Sequence, residues 1–303
     1  MSKEKISASK LVGDGLMQHR VLVLGASGML GNAVCRVFGL DSAFEVIGTV
    51  RSAAPAALAR LGVTIASGVD VENVDSLTAV LVRFKPTIVI NCVGLVKQLD
   101  VGNSVLSAVP INSILPHRLA QLCQLVDARL IHLSTDCVFS GSKGAYTEAD
   151  MPDAYDVYGR SKLLGEVDYP NAVTLRTSII GHSIIPGPGL IDWFLSQKNS
   201  VNGFTKAFFS GLPTIELANV IKSHVIPNPE LHGVYHVSAN RISKFELLKL
   251  VAEVYRKDIQ INPTESLAID RSLDSSRFKE KTGYQPPEWP ELIQRMHQYH
   301  RSM

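Results

Sequence analysis

Short apolar runs alternate with amphipathic stretches along most of this 303-residue chain, and this alternation restricts the fold more than any other feature. Runs that are apolar throughout predict strands buried on both faces, whereas an apolar residue every three or four positions predicts a helix. Strands separated by helices form a parallel sheet covered on both sides, so we predict a doubly wound α/β chain. The predicted strands are residues 21–24, 44–49, 63–66, 87–91, 130–133, 173–176 and 233–238, and the predicted helices are 29–38, 75–84, 116–126, 158–167 and 244–256.

The regular alternation stops after residue 180, where Gly, Pro and aromatic residues become frequent. We predict a sheet region made of residues 20–180 with about 218–240, and a smaller C-terminal region made of residues 181–217 and 241–303. The smaller region is expected to lean over the mouth of the sheet, and its polar end, with Trp289 and Pro-rich turns, shows no predicted element. Residues 1–19 mix Lys, Glu, Ser and Gly, which is typical of a polar leader that can be disordered.

Charge and cysteine content exclude several classes of function. The formal net charge is +2, with 30 basic and 28 acidic residues, so neither a nucleic-acid-binding face nor an acidic tail is predicted. No apolar run approaches the roughly 20 residues that span a bilayer, and no secretory signal is present, so we expect a cytoplasmic protein without a membrane partner. The four cysteines form no CxxC pair and have no histidine at metal-ligand spacing; we expect reduced thiols and no metal site.

A glycine-rich turn follows the first predicted strand and opens the first predicted helix. Gly25 permits a tight turn, Gly28 lets the backbone approach a pyrophosphate, and Gly31 allows close packing of helix and strand. Because the helix N-terminus favours phosphate, the turn predicts a dinucleotide site in a Rossmann-like fold; a purely structural turn is the alternative. The residues predicted to bind the cofactor are Gly25, Ser27, Gly28, Met29, Leu30, Gly31, Arg51, Ser52, Asp70, Val71, Val93, Gly94, Tyr158 and Lys162.

The end of the second predicted strand indicates which dinucleotide binds. An acidic residue there would accept from the ribose of NAD, but this chain has Arg51 and Ser52. Since a guanidinium binds phosphate with two hydrogen bonds, the pair favours the 2′-phosphate of NADPH, with NADH as the second choice. An ordinary surface arginine is the alternative. Asp70 ends the next strand and is predicted either to accept from the adenine amino group or to cap the following helix.

Tyr158 and Lys162 are four residues apart in a predicted helix and therefore lie on one face. A cation one turn away is expected to lower the pKa of the phenol toward the range useful for an acid, and the lysine can also bind the nicotinamide ribose. Thr135 follows a predicted buried strand, at the sheet edge where ligands bind, and its hydroxyl can donate to a substrate carbonyl. These three residues are the predicted catalytic set; a turn cap is the alternative for Thr135.

The motifs together resemble the extended short-chain dehydrogenase/reductase family, and within it the dTDP-4-dehydrorhamnose reductase branch. The resemblance spans about residues 20–280 and is stronger in the first half of the chain. The matching segments are the turn at 25–31, STDCVF at 134–139, YTEAD at 146–150, YGRSKLLGE at 158–166, LRTS at 175–178, SGLPT at 210–214, GVYHVS at 233–238 and SLDSS at 272–276.

The resemblance implies an NADPH-dependent oxidoreductase that reduces the 4-keto group of a nucleotide-activated 6-deoxy sugar, in deoxysugar and cell-surface polysaccharide biosynthesis. In such an enzyme Thr135 is the catalytic hydroxyl, Tyr158 the proton donor, and Lys162 the residue that modulates its pKa and binds the ribose. The alternatives are a reductase of a UDP-linked 4-keto amino sugar, a nucleotide-sugar epimerase and a non-catalytic NADP-binding regulatory subunit. A homodimer is the default assembly.

Residues that contact the sugar nucleotide are the hardest to predict from pattern. We predict Asp136, Arg176, Trp193 and Lys206 as substrate residues. Packing in the core is the favoured alternative for Trp193, and an ordinary surface position is the alternative to pyrophosphate binding for Lys206 and Arg241.

The resemblance also places Thr177 near the site and gives Asn112 a supporting role, for which a helix cap is the alternative. It has two departures. Cys137 stands where the reductase branch usually has Tyr and where dehydratases of the superfamily have a Glu, which disfavours elimination of water. Residues 184–213 match poorly.

Overall fold

The computed structural model describes residues 10–12, 16–96, 100–184, 187 and 189–303. Residues 1–9 and 13–15 of the predicted leader, and residues 185, 186 and 188 of the predicted substrate segment, lie outside the described residues. Residues 10–12 and 16–19, also predicted as leader, are strands instead and pair with each other antiparallel. The backbone N–H of His19 donates to the carbonyl of Ala43 at 3.0 Å. The local composition gives no indication of this pairing, because the partner segment is distant in the sequence.

Strands and helices alternate through the first two thirds of the chain, as predicted. The strands are β1 (Lys10–Val12), β2 (Leu16–Leu24), β3 (Phe44–Val50), β4 (Thr64–Ser67), β5 (Ile88–Asn91), β6 (Arg129–Thr135), β7 (Ala172–Thr177), β8 (Ile179–Ile180), β9 (Ser200–Phe204), β10 (Ala207–Phe209), β11 (Leu212–Pro213), β12 (Gly233–His236), β13 (Ile242–Ser243), β14 (Gln260–Thr264) and β15 (Ile269–Asp270). The α-helices are α1 (Met29–Gly39), α2 (Ala56–Ala59), α3 (Val74–Phe84), α4 (Val105–Ala108), α5 (Leu115–Leu125), α6 (Val157–Leu164), α7 (Leu190–Ser196), α8 (Thr214–Val220), α9 (Lys244–Val254), α10 (Ser276–Thr282) and α11 (Trp289–Arg301). Short 3₁₀ turns lie at Asp100–Asn103 and Asp136–Val138, and π-helical turns at Val109–Ile114 and Ile221–Val225.

The main sheet has the strand order β12-β7-β6-β5-β2-β3-β4, and β1 pairs with β2 beside this path. All neighbours along the path are parallel. The chain runs outward from β2 to β4, then crosses back to start β5 on the other side of β2. This reversal confirms the predicted Rossmann-like doubly wound fold, and it opens a crevice beyond the carboxyl ends of β2 and β5 where ligands bind in such sheets.

Both faces of the sheet are buried because successive side chains of each central strand point to opposite sides. Val21 and Val23 of β2 pack with α1 in one core, whereas Leu22 and Leu24 pack with α3 and α5 in the other. All four side chains are completely buried. The central strands are therefore apolar throughout, and their polar residues collect at the strand ends, where the candidate site lies.

The C-terminal region contains a helix that the sequence reasoning missed. A polar end with Pro-rich turns was predicted, but α11 covers 13 residues there. Its apolar residues recur at helical spacing and are buried; they are Trp289, Leu292, Ile293, Met296 and Tyr299. The predicted start of α9 is confirmed: Ser243 and Glu246 form a reciprocal capping box.

One hydrophobic core joins both regions of the chain. Val21 and Val23 of the sheet belong to the same buried cluster as Leu247 of α9 and Leu292 of α11. β12 returns to the edge of the main sheet beside β7, from residues that lie between the two segments of the predicted C-terminal region. The division into residues 20–180 with 218–240 and residues 181–217 with 241–303 stays a prediction, because this shared core sets no boundary between the two parts.

Candidate active site

The turn between β2 and α1 has the geometry of a phosphate cradle. Gly25 has φ of +81°, a region that favours glycine, and a Cβ on Gly31 would collide with the carbonyl oxygen of Gly25. Gly28 is the N-cap of α1 and offers no side-chain acceptor, and the first turn of α1 has no acidic residue. The amides that begin α1 are therefore left for an anion, which fits the pyrophosphate of a dinucleotide. Ser27 and Met29 are half-buried beside this turn, and Leu30 is buried beneath it.

The predicted adenosine contacts lie on the same edge of the sheet. Arg51 and Ser52 directly follow β3, and both are exposed. Asp70 follows β4 and does not cap α3, because the cap is Asn73, whose side chain accepts from the amides of Asp75 and Ser76. The carboxylate of Asp70 instead accepts from the amide of Glu72 at 3.0 Å. The cap alternative for Asp70 is therefore wrong, and Val71 lies half-buried next to it.

Thr135 is the last residue of β6 and is only 7% exposed. Its hydroxyl donates to the carboxylate of Asp136 at 3.1 Å and accepts from the amide of Cys137 at 3.1 Å. The strand thus extends two residues beyond the predicted 130–133, and a short 3₁₀ turn begins after it. Thr135 does cap this turn, as the alternative proposed, but capping leaves its hydroxyl at the carboxyl edge of the sheet.

Helix α6 brings Tyr158 and Lys162 to this edge. Asp156 caps the helix by accepting from the amide of Gly159 at 2.7 Å. Lys162 is 5% exposed, and its ammonium donates to the carbonyl of Leu133 in β6 at 2.6 Å. Gly159, to which the sequence reasoning gave no role, allows the close approach: a Cβ there would collide with the carbonyl oxygen of Cys137. A glycine directly after the tyrosine was the only sequence signal for this contact.

The pKa of Tyr158 moves in the direction opposite to the prediction. Burial raises the pKa of the phenol, and a side-chain hydrogen bond with Thr135 opposes this rise only in part. The ammonium of Lys162 is not among the groups that lower it. Burial lowers the pKa of Lys162 to about 8, against the favourable charge of Glu166. Desolvation of both groups therefore outweighs their proximity, and at neutral pH the phenol keeps its proton.

The loop after β5 completes the cofactor side of the site. The amide of Val93 donates to the side chain of Asn91 at 3.1 Å, and a Cβ on the exposed Gly94 would lie 3.9 Å from the ammonium nitrogen of Lys162. Asn112 supports this loop, since its side chain accepts from the amide of Leu95 at 2.9 Å. Its amide group also donates to the hydroxyl of Ser161 in α6 at 3.2 Å, so Asn112 bridges loop and helix and caps neither.

Arg176, predicted as a substrate residue, is engaged inside the protein. Its guanidinium is buried and forms two hydrogen bonds with the carboxylate of Glu166. Thr177, next to it, is also buried. Because its guanidinium is engaged in this way, Arg176 holds other residues in place and does not offer a surface to a sugar nucleotide.

Asp136, also a predicted substrate residue, lies directly after β6 and accepts from Thr135, whereas the other two, Trp193 and Lys206, lie in the C-terminal region. Trp193 is 42% exposed, so the favoured core-packing interpretation is wrong for Trp193, while its neighbour Phe194 is fully buried. Lys206 pairs with Glu265 at 2.6 Å in an exposed ion pair. Arg241 pairs with Asp270 at 2.7 Å and lies over the ring of Phe208. Both cations thus have surface partners already.

Two cations that the sequence reasoning missed act on the residue that follows this strand end. The positive charges of Arg271 and Lys244 act on Asp136 and oppose the rise that burial causes in its pKa. Arg271 donates to the carbonyl of Phe139 at 2.7 Å. Within the described residues neither cation forms an ion pair. Lys244 and Arg271 lie 108 and 135 residues after Asp136 in the chain, and no local motif marks them.

No helix of the described residues is both long and apolar enough to cross a membrane. In the same residues, no three His, Cys, Asp or Glu side chains gather in a way that could hold a metal ion. All four cysteines have free thiols.

Comparison with known proteins shows the same resemblance along nearly the whole chain. A family model described as the RmlD substrate binding domain matches residues 19–301. The dTDP-4-dehydrorhamnose reductase of Aggregatibacter actinomycetemcomitans is 29% identical over 52% of this chain and 51% of that protein. Methionine adenosyltransferase 2 subunit beta of Xenopus tropicalis is 27% identical over 78% of this chain and 72% of that protein.

Solved structures show the same fold. A dTDP-4-dehydrorhamnose reductase from Bacillus anthracis, solved in complex with NADP, superposes with a TM-score of 0.77 at 22% identity, covering 93% of this chain and 100% of that one. At this identity the likeness establishes the fold alone.

Proposed function

The chain belongs to the RmlD substrate binding domain family, the dTDP-4-dehydrorhamnose reductase branch of the extended short-chain dehydrogenases/reductases, and we propose that it reduces the 4-keto group of a nucleotide-activated 6-deoxy sugar with NADPH. As a member of this family it is an NAD(P)-dependent oxidoreductase. The substrate class is the part that needs a test. It is supported by the names of the reductase relatives, such as the one from Aggregatibacter actinomycetemcomitans.

The observation that carries the proposal is the meeting of three side chains at one sheet edge. The hydroxyl of Thr135 lies near enough to Tyr158 to oppose the rise in the pKa of its phenol, and the ammonium of Lys162 is held on the same strand, at Leu133. Gly94 places the loop that follows β5 against this ammonium. The cofactor crevice and the proton donor therefore share one edge, as a carbonyl reduction requires.

The glycine turn fits a dinucleotide because its helix N-terminus has neither a side-chain cap nor an acidic residue in the first turn. NADPH supplies the hydride when it is bound. Arg51 and Ser52 lie exposed at the end of β3, where they can hold the 2′-phosphate. An uncapped helix N-terminus for the pyrophosphate, together with the guanidinium of Arg51 for the 2′-phosphate, accounts for the proposed preference for NADPH over NADH.

The protein's own residues then have separate tasks. Thr135 donates to the keto oxygen and orients it, and Tyr158, which keeps its proton at neutral pH, gives that proton to the same oxygen. Lys162 holds the ribose beside the nicotinamide. Cys137 has no carboxyl group, so the site lacks the second acid/base that elimination of water would need.

A diphosphate link in the substrate is supported by two cations that act on Asp136 and have no carboxylate partner among the described residues. Arg271 and Lys244 act on Asp136 from the C-terminal region, and a nucleotide diphosphate is the part of the substrate that would balance them. We therefore place the diphosphate between these cations and the end of β6, and assign no such role to Lys206 or Arg241, which have carboxylate partners.

The test is a turnover assay that follows loss of NADPH absorbance with dTDP-4-keto-6-deoxyglucose, and then with UDP-linked 4-keto amino sugars. Tyr158→Phe should reduce kcat by about 10²- to 10⁴-fold and leave the affinity for NADPH nearly unchanged. Tyr155→Phe is the matched control, because Tyr155 is three residues away and 78% exposed. Absence of turnover with every nucleotide keto sugar would overturn the proposal.

A second candidate function is a non-catalytic NADP-binding regulatory subunit. It is favoured by one observation: the subunit-beta relative from Xenopus tropicalis aligns with 78% of this chain, against 52% for the reductase from Aggregatibacter actinomycetemcomitans. This function predicts NADP binding without turnover and indifference to Tyr158→Phe. The proposed function predicts the opposite, so the same pair of variants separates them.

A further inference from the structure

Glu166 lies two residues beyond the end of α6, and its side chain is 6% exposed. Its carboxylate accepts three hydrogen bonds from two directions. One oxygen accepts from the hydroxyl of Ser134 at 2.7 Å and from Nε of Arg176 at 2.7 Å, and the other accepts from Nη2 of Arg176 at 2.6 Å. Ser134 directly precedes Thr135 in β6, so one carboxylate ties the strand end to α6 and to β7.

Arg176 continues this network away from the site. Its Nη1 donates to Nε2 of His236 at 3.2 Å, and Nδ1 of His236 donates to the carbonyl of Tyr146 at 3.0 Å. His236 is fully buried, and burial together with Arg176 lowers its pKa to about 4, so the ring is neutral. The rings of Phe139 and Tyr146 stack at 4.1 Å beside the guanidinium. Each of these polar atoms has a hydrogen-bond partner, and the network as a whole has one arrangement.

A buried ion pair of this kind is an inefficient way to gain stability. Removing two charges from water costs about as much as their attraction returns, so an apolar pair of similar volume would serve folding equally well. The charged pair instead fixes the orientation of the Glu166 carboxylate. While Arg176 holds both carboxylate oxygens, Glu166 can accept from Ser134 in one orientation only. The contacts therefore restrict where the end of β6 lies relative to α6.

The charge of the same carboxylate also acts on Lys162. Lys162 is four residues before Glu166, and the negative charge of Glu166 acts on its ammonium. The titratable groups that act on or lie near Lys162 are Glu166, His132 and Tyr158. Burial lowers the pKa of His132 and raises that of Tyr158, so both are neutral. Glu166 is thus the charge that favours the ammonium form of Lys162 against burial.

We propose that Glu166 is a positioning residue for the reaction: through Ser134 it sets the place of Thr135, and its negative charge, four residues along the chain, acts on Lys162. The inference rests on the proposed reductase function, since it assigns a task in that reaction. Arg176 belongs to the same unit and holds the carboxylate of Glu166 in its working orientation.

The first test removes a single hydrogen bond and keeps the ion pair. Ser134→Ala should lower kcat about tenfold while the KM for NADPH stays within about twofold, because only the placement of Thr135 is loosened. Ser238→Ala is the matched control: Ser238 is 2% exposed and donates to the carbonyl of Leu273 at 2.9 Å, outside the network. Equal kcat values for the two variants would overturn the inference.

The second test uses no substrate. Protein labelled at the lysine side chains is titrated by NMR, and the resonance of Lys162 is assigned with Lys162→Met. Glu166→Gln should lower the pKa of Lys162 below its value in the parent protein, about 8, because a negative charge has been removed. An unchanged pKa would overturn the charge part of the inference. If the parent turns over no keto sugar, the proposed function fails, while this titration still decides the link between Glu166 and Lys162.

Glu166→Gln leaves a buried guanidinium without its charge partner and can fail to fold. The double variant Glu166→Gln/Arg176→Met removes both charges and should recover most of the lost Tm. If Glu166 served folding alone, kcat would recover together with Tm. We expect Tm to recover and kcat to stay low, because the double variant lacks the orientation of Ser134 and the charge near Lys162.

Discussion

The two halves of the sheet form the candidate site in different ways, although their strands are of one kind. In the half made of β2, β3 and β4, the backbone forms the site: Gly25 and Gly31 let the chain turn tightly, and the amides of α1 are left uncapped. In the half made of β5, β6 and β7, buried side chains form it. The contacts of Asn112 with Leu95 and Ser161, and of Glu166 with Ser134 and Arg176, hold this half together.

This difference shows what each half tolerates. A backbone cradle fails when a side chain is added, because the space needed by the ligand or by the turn is filled. A side-chain network fails when a partner is removed or displaced, because a buried polar group is then left unsatisfied. The two halves should therefore respond to different substitutions, and affinity for NADPH and kcat should be separable.

The largest effect is expected at Gly31. In Gly31→Ala the new Cβ collides with the carbonyl oxygen of Gly25 and lies 3.0 Å from Cα of Ala26, so α1 must move relative to β2. We expect the affinity for NADPH to fall at least about 100-fold and the free energy of unfolding to fall by about 1–3 kcal/mol. Fluorescence titration with NADPH and urea denaturation measure the two quantities.

Gly28→Ala is the companion variant for this prediction. Its Cβ would lie 3.2 Å from the carbonyl oxygen of Gly25, and Gly28 has an ordinary φ of −74°. The variant should fold with nearly the parent stability but bind NADPH more weakly, because the methyl group occupies the path of the pyrophosphate. Unchanged NADPH affinity in both variants would contradict the assignment of the cradle.

A smaller effect, confined to kcat, is expected at Gly159. In Gly159→Ala the Cβ collides with the carbonyl oxygen of Cys137 and lies 2.6 Å from Cβ of Ala154, so α6 moves away from the end of β6. We expect kcat to fall about 100-fold and the Kd for NADPH to change only a few-fold. Leu164→Ala, at a 65% exposed position of the same helix, is the control. A loss of NADPH affinity as large as the loss of kcat would show that the two halves are not separable.

The sequence predicted features set by local spacing better than contacts between distant segments, for a physical reason. Gly25, Gly28 and Gly31 lie within seven residues, and the spacing of Tyr158 and Lys162 fixes their common helix face, so both signals are local. Arg176 was predicted to contact the substrate because no nearby residue in the sequence indicates that it pairs with Glu166. That pairing arises when α6 and β7 fold onto one another. The apolar spacing of α11 was present in the sequence but hidden among polar residues and prolines.

A pH effect on stability should come from the network half. Burial lowers the pKa of His236 from 6.5 to about 4, so the unfolded chain binds a proton more readily than the folded chain. This stabilising contribution is present above pH 6.5 and is lost as the pH falls toward 4. We expect His236 to account for a loss of about 1–2 kcal/mol in the free energy of unfolding between about pH 7.5 and about pH 5. His236→Gln, measured by urea denaturation, should lose less; an equal loss would remove His236 as the cause.

The smallest effect is expected at Arg51, the place where the cradle half uses a side chain. Arg51 is exposed, and in the described residues no carboxylate pairs with it, so its charge is available to a 2′-phosphate. Arg51→Asp should lower the preference for NADPH over NADH about tenfold, measured as the ratio of the two kcat/KM values, because an acidic group there repels phosphate and can accept from the ribose. Arg60→Asp makes the same charge change at another exposed position and should leave the ratio unchanged.

Since salt screens exposed charges, the effect of Arg51→Asp should shrink at high ionic strength, whereas the effects of Gly31→Ala and Gly159→Ala, which are steric, should not. Equal salt dependence for all three would mean that the cradle half binds NADPH by charge and not by the shape of its backbone.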